Sequence, residues 1–255
     1  MVSLTDKMSA NAISDVWTAG GRRPLVMLRG GAEDGDGGAS VRQTPVEALR
    51  QGTTGAGGLS LVERRKAALR FEIACAAVHL FTSQGVAATT GEQIAQSVGI
   101  SSRTLWRHFP TKESCVLPLL TAALDFAVDR LRHWPAETSL LDFFAETCRK
   151  GDLPAATPEI LDLIRMTSTE PALRAVWLQA HDDALPVLGG LLARRSGADS
   201  GDLRVTVHAA TLNGALRAAV EDFARRYADR PDAADAELAR CLDAALRAAS
   251  EGLPY

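Results

Sequence analysis

Between residues 101 and 109 the sequence carries side chains that are suited to reading a nucleic acid. If Leu105 and Phe109 face inward at the i, i+4 spacing of a helix, the opposite face carries a small hydroxyl, two guanidiniums and an indole. These outward side chains belong to Ser102, Arg103, Trp106 and Arg107. Arginine is the commonest reader of guanine, because its forked guanidinium matches the O6 and N7 acceptors in the major groove. The pattern therefore predicts a helix that contacts the bases of DNA.

Two short helices must hold these side chains in place. Thr90 and Gln93 form the Ser/Thr-x-x-Glu/Gln pattern of a capping box, which predicts the start of the first short helix. Gly99 ends that helix, Ser101 caps the second, and Pro110 closes the second. Two short helices that meet at a glycine-containing turn are typical of a helix-turn-helix. Its second helix enters a major groove that is about 12 Å wide.

A longer helix precedes this pair, in a basic part of the chain. Apolar residues recur at helical spacing from Leu61 until Gly85 ends the helix. Residues 61–112 hold seven basic and three acidic residues, for a net charge of +4, whereas residues 113–255 hold 15 and 22, for −7. A basic module on an acidic body directs one face toward phosphates. Four basic residues at the start of the long helix form either a solvated surface or an auxiliary phosphate patch: Arg64, Arg65, Lys66 and Arg70.

Residues 64–113 resemble the TetR/AcrR family of regulators. The resemblance rests on one unbroken motif, matched by Thr90, Ile94, Ala95, Gly99, Ile100, Ser101, Thr104, Leu105, His108, Phe109, Lys112 and Glu113. The sequence departs from the family pattern at Trp106, where tyrosine is usual, and at Gly91, where an apolar residue is common. The resemblance implies a three-helix helix-turn-helix head, followed by a larger helical-bundle domain that binds a ligand and dimerises.

The resemblance also implies which side chains touch DNA. Base contacts are expected from Ser102, Arg103 and Arg107. Phosphate contacts are expected from Thr90, Ser101, Thr104, Trp106, His108 and Lys112. Phosphate contacts position the head on the duplex, and base contacts specify the sequence. The alternatives are generic surface charge for the two arginines, and packing within the head for His108.

The rest of the chain predicts helices and no strands, so the expected fold class is all-α. Alanine and leucine dominate it, and proline and glycine mark the breaks. Helices are expected over 112–133, 138–150, 158–168, 171–196, 202–228 and 233–250. Pro118 should kink the first of these or end its first turn. Because the head is expected to move with that helix, Pro118 is also a candidate hinge.

The chain is thus expected to contain a disordered extension over 1–60, a DNA-binding domain over 61–112, and a ligand-binding and dimerisation domain over 113–255. Eleven of the 21 glycines lie in the extension, which has no apolar period. No apolar run approaches the ~20 residues that span a bilayer. The four scattered cysteines fit a reducing cytoplasm and indicate neither a metal site nor a disulfide framework.

By resemblance, an effector cavity lies among the helices that follow the head. An apolar cavity with a few polar groups is the usual design of such sites. The candidate lining residues are Phe126, Phe143, Met166, Trp177, His181, His208 and Asn213. His181, His208 and Asn213 are its polar candidates, and ordinary core packing is the alternative for every member of the set.

The last two long helices carry stripes of small and aliphatic residues. One stripe consists of Val205, Ala209, Leu212, Leu216, Ala219, Val220 and Phe223, and the other of Leu238, Leu242, Leu246 and Ala249. The resemblance implies that both helices pair with their mates in a four-helix dimer interface. The alternative is that the stripes pack only within the chain.

Together these inferences predict a sequence-specific DNA-binding transcriptional regulator. The expected form is a ligand-responsive homodimeric repressor that binds a pseudo-palindromic double-stranded operator, needs no cofactor and responds to a small molecule of unknown identity. The alternative is a helical small-molecule or protein-partner binding module with a vestigial head. An enzyme is disfavoured, because no nucleophile, metal set or acid–base pair converges; Cys75 and His79 at i and i+4 have no third partner.

Overall fold

A computed structural model of the protein describes residues 60–150, 157–227 and 234–252. Within these ranges the ordered elements are nine α-helices and one short 3-10 helix, with no strand. The expected all-α class is therefore confirmed. The extension expected over 1–60 lies outside the described residues, apart from Ser60. No helix in the described ranges is both long and apolar enough to cross a membrane.

Three helices form the head: α1 (Leu61–Gln84), α2 (Gly91–Ser97) and α3 (Ser102–His108). The Thr90 hydroxyl accepts a hydrogen bond from the Gln93 amide at 3.2 Å, and the Gln93 side chain accepts one from the Thr90 amide at 2.8 Å. This exchange confirms the predicted capping box. Ser60 and Glu63 form a second capping box that starts α1.

A 3-10 helix (Glu113–Val116) leads from the head into the body. The body helices are α4 (Leu117–Arg132), α5 (Leu140–Arg149), α6 (Pro158–Thr169), α7 (Pro171–Ser196), α8 (Leu203–Tyr227) and α9 (Ala234–Glu251). The helix expected over 112–133 is thus two elements. Pro118 lies in the first turn of α4, where its missing N–H breaks no helical hydrogen bond. The other five predicted helices are confirmed within two residues at each end.

One continuous apolar core joins the head to the body. α1 packs against α2, the 3-10 helix, α4 and α6, while α7 and α8 pack against each other and against α6. Ile73, Ala74 and Leu105 of the head and Leu163 and Leu173 of the body are fully buried in this core. Because the same apolar core includes residues of both parts, a shift of α1 must be accommodated by α4 and α6.

An arginine fixes the connection between α4 and α5. The Arg195 guanidinium lies 3.5 Å from the centre of the Trp134 ring and donates to the carbonyls of residues 134, 135, 136 and 138 at 2.8 to 3.2 Å. The Trp134 ring also stacks on Phe143. Phe143, expected in an effector cavity, instead belongs to this cluster.

The apolar stripes of α8 and α9 face the interior of the protomer. Val205, Ala209 and Leu212 are at most 4% exposed, and Leu246 is 1% exposed. The residues expected at a dimer interface therefore pack within the chain, as in the alternative considered from the sequence. Helical period explains the correction, since one stripe cannot face both its own core and a partner. The outer face of α8 carries the exposed Leu203 and Val207.

Candidate DNA-binding surface and effector region

The helix α3 presents a polar face to solvent and an apolar face to the head. Leu105 is fully buried and Phe109, the residue that ends the helix, is 2% exposed. Arg103, Trp106 and Arg107 are exposed, as the spacing predicts. Ser102 on the same face is half-buried. The geometry therefore leaves two guanidiniums free to approach a groove, while the buried pair fixes the rotation of the helix.

The hydroxyls near the ends of α2 and α3 are used as caps. The Ser101 hydroxyl accepts from the Thr104 amide at 3.2 Å and lies 2.9 Å from the Thr104 hydroxyl. Thr90 caps α2 in the same manner. Ser101 and Thr90 remain exposed and Thr104 is half-buried. Capping does not exclude a phosphate contact, since a hydroxyl has one donor and two acceptor lone pairs.

The two departures from the family pattern meet in space. Gly91, the first residue of α2, is buried beneath the Trp106 ring of α3. A Cβ atom at Gly91 would lie 2.1 Å and 2.2 Å from the Cζ2 and Cη2 atoms of that ring. Glycine is therefore required for steric reasons at this position, as long as the indole keeps this place. Trp106 is 41% exposed, so the rest of its ring faces solvent beside Arg103 and Arg107.

The end of α3 is tied to α1 by Arg70. Its Nη1 donates to the His108 carbonyl at 2.9 Å, and its guanidinium carbon lies 4.4 Å from the centre of the Phe109 ring. Burial lowers the pKa of Arg70. Burial first, and then the positive charges of Arg70, Arg107 and Lys66, lower the pKa of the His108 imidazole. Arg70 is therefore partly buried, and it holds the DNA-reading helix on α1.

Lys112 is bound within the head. Its ammonium donates to the carbonyl oxygens of Val86 at 2.6 Å, Thr89 at 2.8 Å and Ala87 at 3.5 Å. Its side chain is 23% exposed and lies 3.9 Å from the Glu113 carboxylate. A phosphate contact was expected for Lys112. In the structure its N–H groups instead donate to carbonyl oxygens of the loop between α1 and α2. We refer to this arrangement as the Lys112 clamp.

The expected effector residues fall into separate places. The structure brings Trp177, His181 and Asn213 together, while Phe126 is half-buried on α4 with Arg130 5.9 Å from its ring centre. His208 is exposed, which corrects its expected inward orientation. In the first turns of α8 only Val205 and Ala209 are buried, so that no described element covers His208.

His181 and Asn213 form a buried polar pair between α7 and α8. The His181 Nδ1 atom lies 2.7 Å from the Asn213 Oδ1 atom, and the Asn213 amide donates to the His181 carbonyl at 3.0 Å. Because Oδ1 is an acceptor, Nδ1 carries the proton and Nε2 holds a lone pair. Nε2 is buried and has no hydrogen-bond partner among the described residues. Burial lowers the pKa of the imidazole, which keeps it neutral.

Glu221 extends this polar pair, and it is the main residue that the sequence did not indicate. Its Oε1 atom accepts from the Trp177 indole at 2.7 Å and from Arg174 at 2.5 Å. The Trp177 ring packs edge-on against His181, with centroids 4.2 Å apart. The partners of Glu221 are 44 and 47 residues away in the chain, so no local spacing could reveal them.

Two cavities adjoin this network. A shallow groove of about 380 Å³ lies between α7 and α8, with His181, Asn213 and Arg217 among its lining residues. A larger cavity of about 570 Å³ lies between the end of α1 and the helices α6, α7 and α8. We call it the junction cavity, because residues of both head and body line it. Met166 is the one expected effector residue that lines it.

Two family models match the chain. Residues 73–119 match the model for bacterial regulatory proteins of the tetR family. Residues 153–254 match the model for the MftR C-terminal domain. The first match contains α2, α3 and the Lys112 clamp, and the second contains α6 to α9.

The chain is also similar to characterised regulators. It is 28% identical over 153 residues to the HTH-type transcriptional regulator TcmR of Streptomyces glaucescens, an alignment that covers 57% of this chain and 68% of TcmR. It is 42% identical over 68 residues to the HTH-type transcriptional repressor KstR2 of Rhodococcus jostii strain RHA1, covering 27% and 33% of the two chains. A TetR-family regulator structure from Mesorhizobium loti MAFF303099 is 23% identical, covers 73% of this chain and 97% of its own, and has a TM-score of 0.47.

Proposed function

The chain belongs to the TetR family of bacterial regulatory proteins and is a DNA-binding transcriptional regulator, and on that premise we propose that it acts as a ligand-responsive homodimeric repressor. Each protomer inserts α3 into one major groove of a pseudo-palindromic operator, with half-sites about 34 Å apart or a multiple of that distance. A regulator of this kind acts on DNA in the cytoplasm. The observation that carries the proposal is the exposure of Arg103 and Arg107 on a helix whose other face is fully buried.

The assignment of DNA contacts follows from exposure. Ser102, Arg103 and Arg107 contact bases, because they lie on the outer face of α3. Thr90, Ser101, Thr104 and Trp106 contact phosphates at its edges. His108 is half-buried with a lowered pKa, so it contacts a phosphate as a neutral donor and not as a cation. Lys112 positions the head by means of its clamp.

The dimer interface is formed by the outward faces of α8 and α9. On α8 this face contains Leu203, Val207, Ala210 and Ala218, which are all exposed, and the half-buried Gly214. Small residues allow helices to approach closely, and a two-fold axis places the same patch of each protomer against its copy. The Leu203 and Val207 side chains of both protomers are then removed from water, and this burial favours dimerisation.

The ligand response originates in the body. A small molecule releases the repressor only to the extent that it binds better to a conformation with unsuitable head spacing. The buried His181 and Asn213 line the groove between α7 and α8, and Trp177 donates to Glu221, which lines the junction cavity. The buried lone pair of His181 supports binding of a hydrogen-bond donor in the groove. These side chains remain candidates for contact with the effector.

Fluorescence anisotropy of the full-length protein tests the proposal. Labelled DNA from the region upstream of its own gene is compared with a scrambled duplex over a series of salt concentrations. Tight binding to the first duplex, weak binding to the second and a steep salt dependence are expected. Equal and weak binding to both duplexes, with binding to no other upstream fragment, would favour the alternative of a partner-binding module with a vestigial head.

A further inference from the structure

We propose that the junction cavity is the effector site and that it takes an amphipathic anion, an apolar ring or chain that carries one carboxylate-like group. This inference rests on the proposed ligand response and assigns it a place and a chemistry. The cavity is open to solvent on one side and has a volume of about 570 Å³, within the range of about 300–1,000 Å³ that small-molecule sites occupy. The sequence predicts an effector cavity among the helices that follow the head, and of its candidate lining residues Met166 lines the junction cavity.

One side of the junction cavity is apolar. Phe81 and Val86 come from the end of α1 and the loop that follows it, and Ile164 and Met166 come from α6. Phe81 is 2% exposed and Ile164 is 4% exposed, so these side chains are held firmly by the core. An apolar ring or chain placed against them covers apolar surface and releases water from the cavity.

The other side carries guanidiniums that can bind an anion. Arg174 and Arg225 line the cavity. Arg174 donates to Glu221, and Arg225 donates to Asp222. A guanidinium has several N–H donors in a planar fork, so each arginine keeps donors beyond the single carboxylate described for it.

Most of the acidic side chains in the wall are already engaged. Glu221 accepts from both Arg174 and Trp177 on one oxygen atom, and Asp162 pairs with Arg165. Glu170 is the third acidic residue of the wall. The wall carries three arginines, Arg165, Arg174 and Arg225, beside its three acidic residues, so their formal charges cancel, and the N–H donors of Arg174 and Arg225 beyond these pairs are what an anionic group on the ligand contacts.

The position of the cavity gives it a direct connection to the DNA-reading helices. Gly85 and Val86 line the cavity, and the Val86 carbonyl is the nearest acceptor of the Lys112 clamp. The same clamp holds the Thr89 carbonyl, and Thr90 caps α2. A ligand that displaces the chain at Gly85 and Val86 therefore disturbs the support of α2. Binding that prefers the displaced arrangement lowers the affinity for DNA by the same factor as DNA lowers the affinity for the ligand.

The probe for the test is 8-anilinonaphthalene-1-sulfonate, an apolar aromatic anion that fluoresces when it leaves water. Its neutral counterpart N-phenyl-1-naphthylamine has the same ring system without the sulfonate. Titration of each probe into the full-length protein, by fluorescence and calorimetry, gives two dissociation constants. Arg225→Gln should weaken binding of the anionic probe about tenfold, the value of one charge-assisted hydrogen bond, and leave the neutral probe unchanged. Arg226→Gln is the matched control, because Arg226 also pairs with Asp222 but does not line the cavity.

A steric variant tests the location independently of charge. Thr82 is exposed and lines the cavity, whereas the neighbouring Ser83 is exposed and does not. Thr82→Trp should fill the space and abolish high-affinity binding of both probes, while Ser83→Trp should bind them as the wild-type protein does. Circular dichroism of both variants verifies that the helices are intact. Unchanged affinity in Thr82→Trp, or an equal loss in both variants, would overturn the assignment.

Anisotropy on upstream DNA then tests the coupling. The anionic probe should lower the affinity of the wild-type protein and of Ser83→Trp for DNA, and should have no effect on Thr82→Trp. A probe that occupies the cavity without changing DNA affinity would overturn the regulatory part of the inference. If the probe lowers the DNA affinity of Thr82→Trp but not that of His181→Phe, the effector site lies in the groove between α7 and α8 and not in the junction cavity. A protein that binds the probe but no DNA would instead refute the proposed function.

Discussion

The DNA-reading surface and the effector region differ in where their partners lie along the chain. On α3 the outward side chains are exposed at positions set by the buried Leu105 and Phe109. In the body, His181 meets Asn213 from 32 residues away, and Glu221 meets Arg174 from 47 residues away. An exposed polar side chain needs only the correct face of a helix, whereas a buried one needs a partner that the fold supplies. The first kind of site can be derived from spacing and the second cannot.

The Lys112 clamp is an exception within the head, and breaking it gives the largest expected effect. Lys112→Met keeps the length of the side chain and removes the ammonium from the Val86 and Thr89 carbonyls. The free energy of unfolding should fall by about 2–3 kcal/mol, because hydrogen bonds to a charged group contribute about 1.5–3 kcal/mol. Urea unfolding measures the change, with Lys150→Met on the exposed end of α5 as the control.

The opposite result would restore the contact expected from the sequence. If Lys112→Met unfolds like the wild-type protein but binds every DNA sequence more weakly, with the salt slope reduced by about one, then Lys112 contacts a phosphate. The DNA contacts of the head would then all follow from the spacing of residues in the sequence. The head would differ from the body, whose polar contacts do not follow from spacing, more than the Lys112 clamp suggests.

Arg103→Ala tests whether spacing alone identifies a base contact. Removal of a bidentate guanidinium should cost about 1–3 kcal/mol of binding free energy at one base position and relax the specificity there. The measurement is anisotropy on the upstream duplex and on duplexes with single base-pair changes. Arg194→Ala, an exposed arginine of α7, is the control. Equal weakening on specific and random DNA would make Arg103 a phosphate contact.

The contact between Gly91 and Trp106 is a tertiary feature inside the head. Gly91→Ala forces the indole off its place, because the new methyl group would overlap two ring carbons. Since the ring is 41% exposed, it can swing outward, so stability should change little. DNA binding should weaken by about 1 kcal/mol, the net value of one hydrogen bond, because the displaced indole loses its proposed phosphate contact.

A double-mutant cycle shows whether the two positions act as a pair. Trp106→Tyr shortens the side chain, and in that background Gly91→Ala should have little effect on DNA affinity. The coupling energy should therefore be about 1 kcal/mol, within the range seen for residues in contact. Additive losses would mean that Gly91 and Trp106 act independently, and the two departures from the family pattern would be unrelated.

Much of the fold could be predicted because helix boundaries are encoded locally. Pro158, Pro171 and Gly197 mark the ends of helices within a residue or two of the described positions, since proline and glycine act on the backbone at their own positions. Pro118 predicts a kink in the helix expected over 112–133 or the end of its first turn, and the structure places it in the first turn of α4. The 3-10 helix before it depends on packing against α1, which local sequence does not reveal.

The body site was predicted less well, for two physical reasons. Residue type alone cannot distinguish the exposed His208 from the buried His181, because both lie near apolar neighbours in sequence. An amphipathic stripe indicates that a helix face is buried, but not whether its own core or another protomer buries it. For that reason Val205, Ala209 and Leu212 were assigned to a dimer interface that their burial within the protomer excludes.

The smallest expected effect concerns Asp125, which lies next to Phe126 on α4. Burial raises the pKa of this carboxyl to about 6 from its ordinary value of about 3.9, and Arg132 opposes the shift. The folded state therefore binds the proton more tightly than the unfolded state, so the protein loses stability as the pH rises from about 4 to about 6. Asp125→Asn removes the ionisable group and should stabilise the protein at pH 7 by about 1 kcal/mol, less than the full shift implies because the side chain is partly exposed.

The pH dependence of that gain is the decisive measurement. Urea unfolding at pH 7 and at pH 3 should show the advantage of Asp125→Asn at pH 7 and its disappearance at pH 3, where the wild-type carboxyl is largely protonated in both the folded and the unfolded state. Asp129→Asn on the same helix is the control. A gain that does not vary with pH would mean that packing, and not desolvation, sets the cost of Asp125. The body would then resemble α3, where the buried Leu105 and Phe109 are sufficient to explain which side chains are exposed.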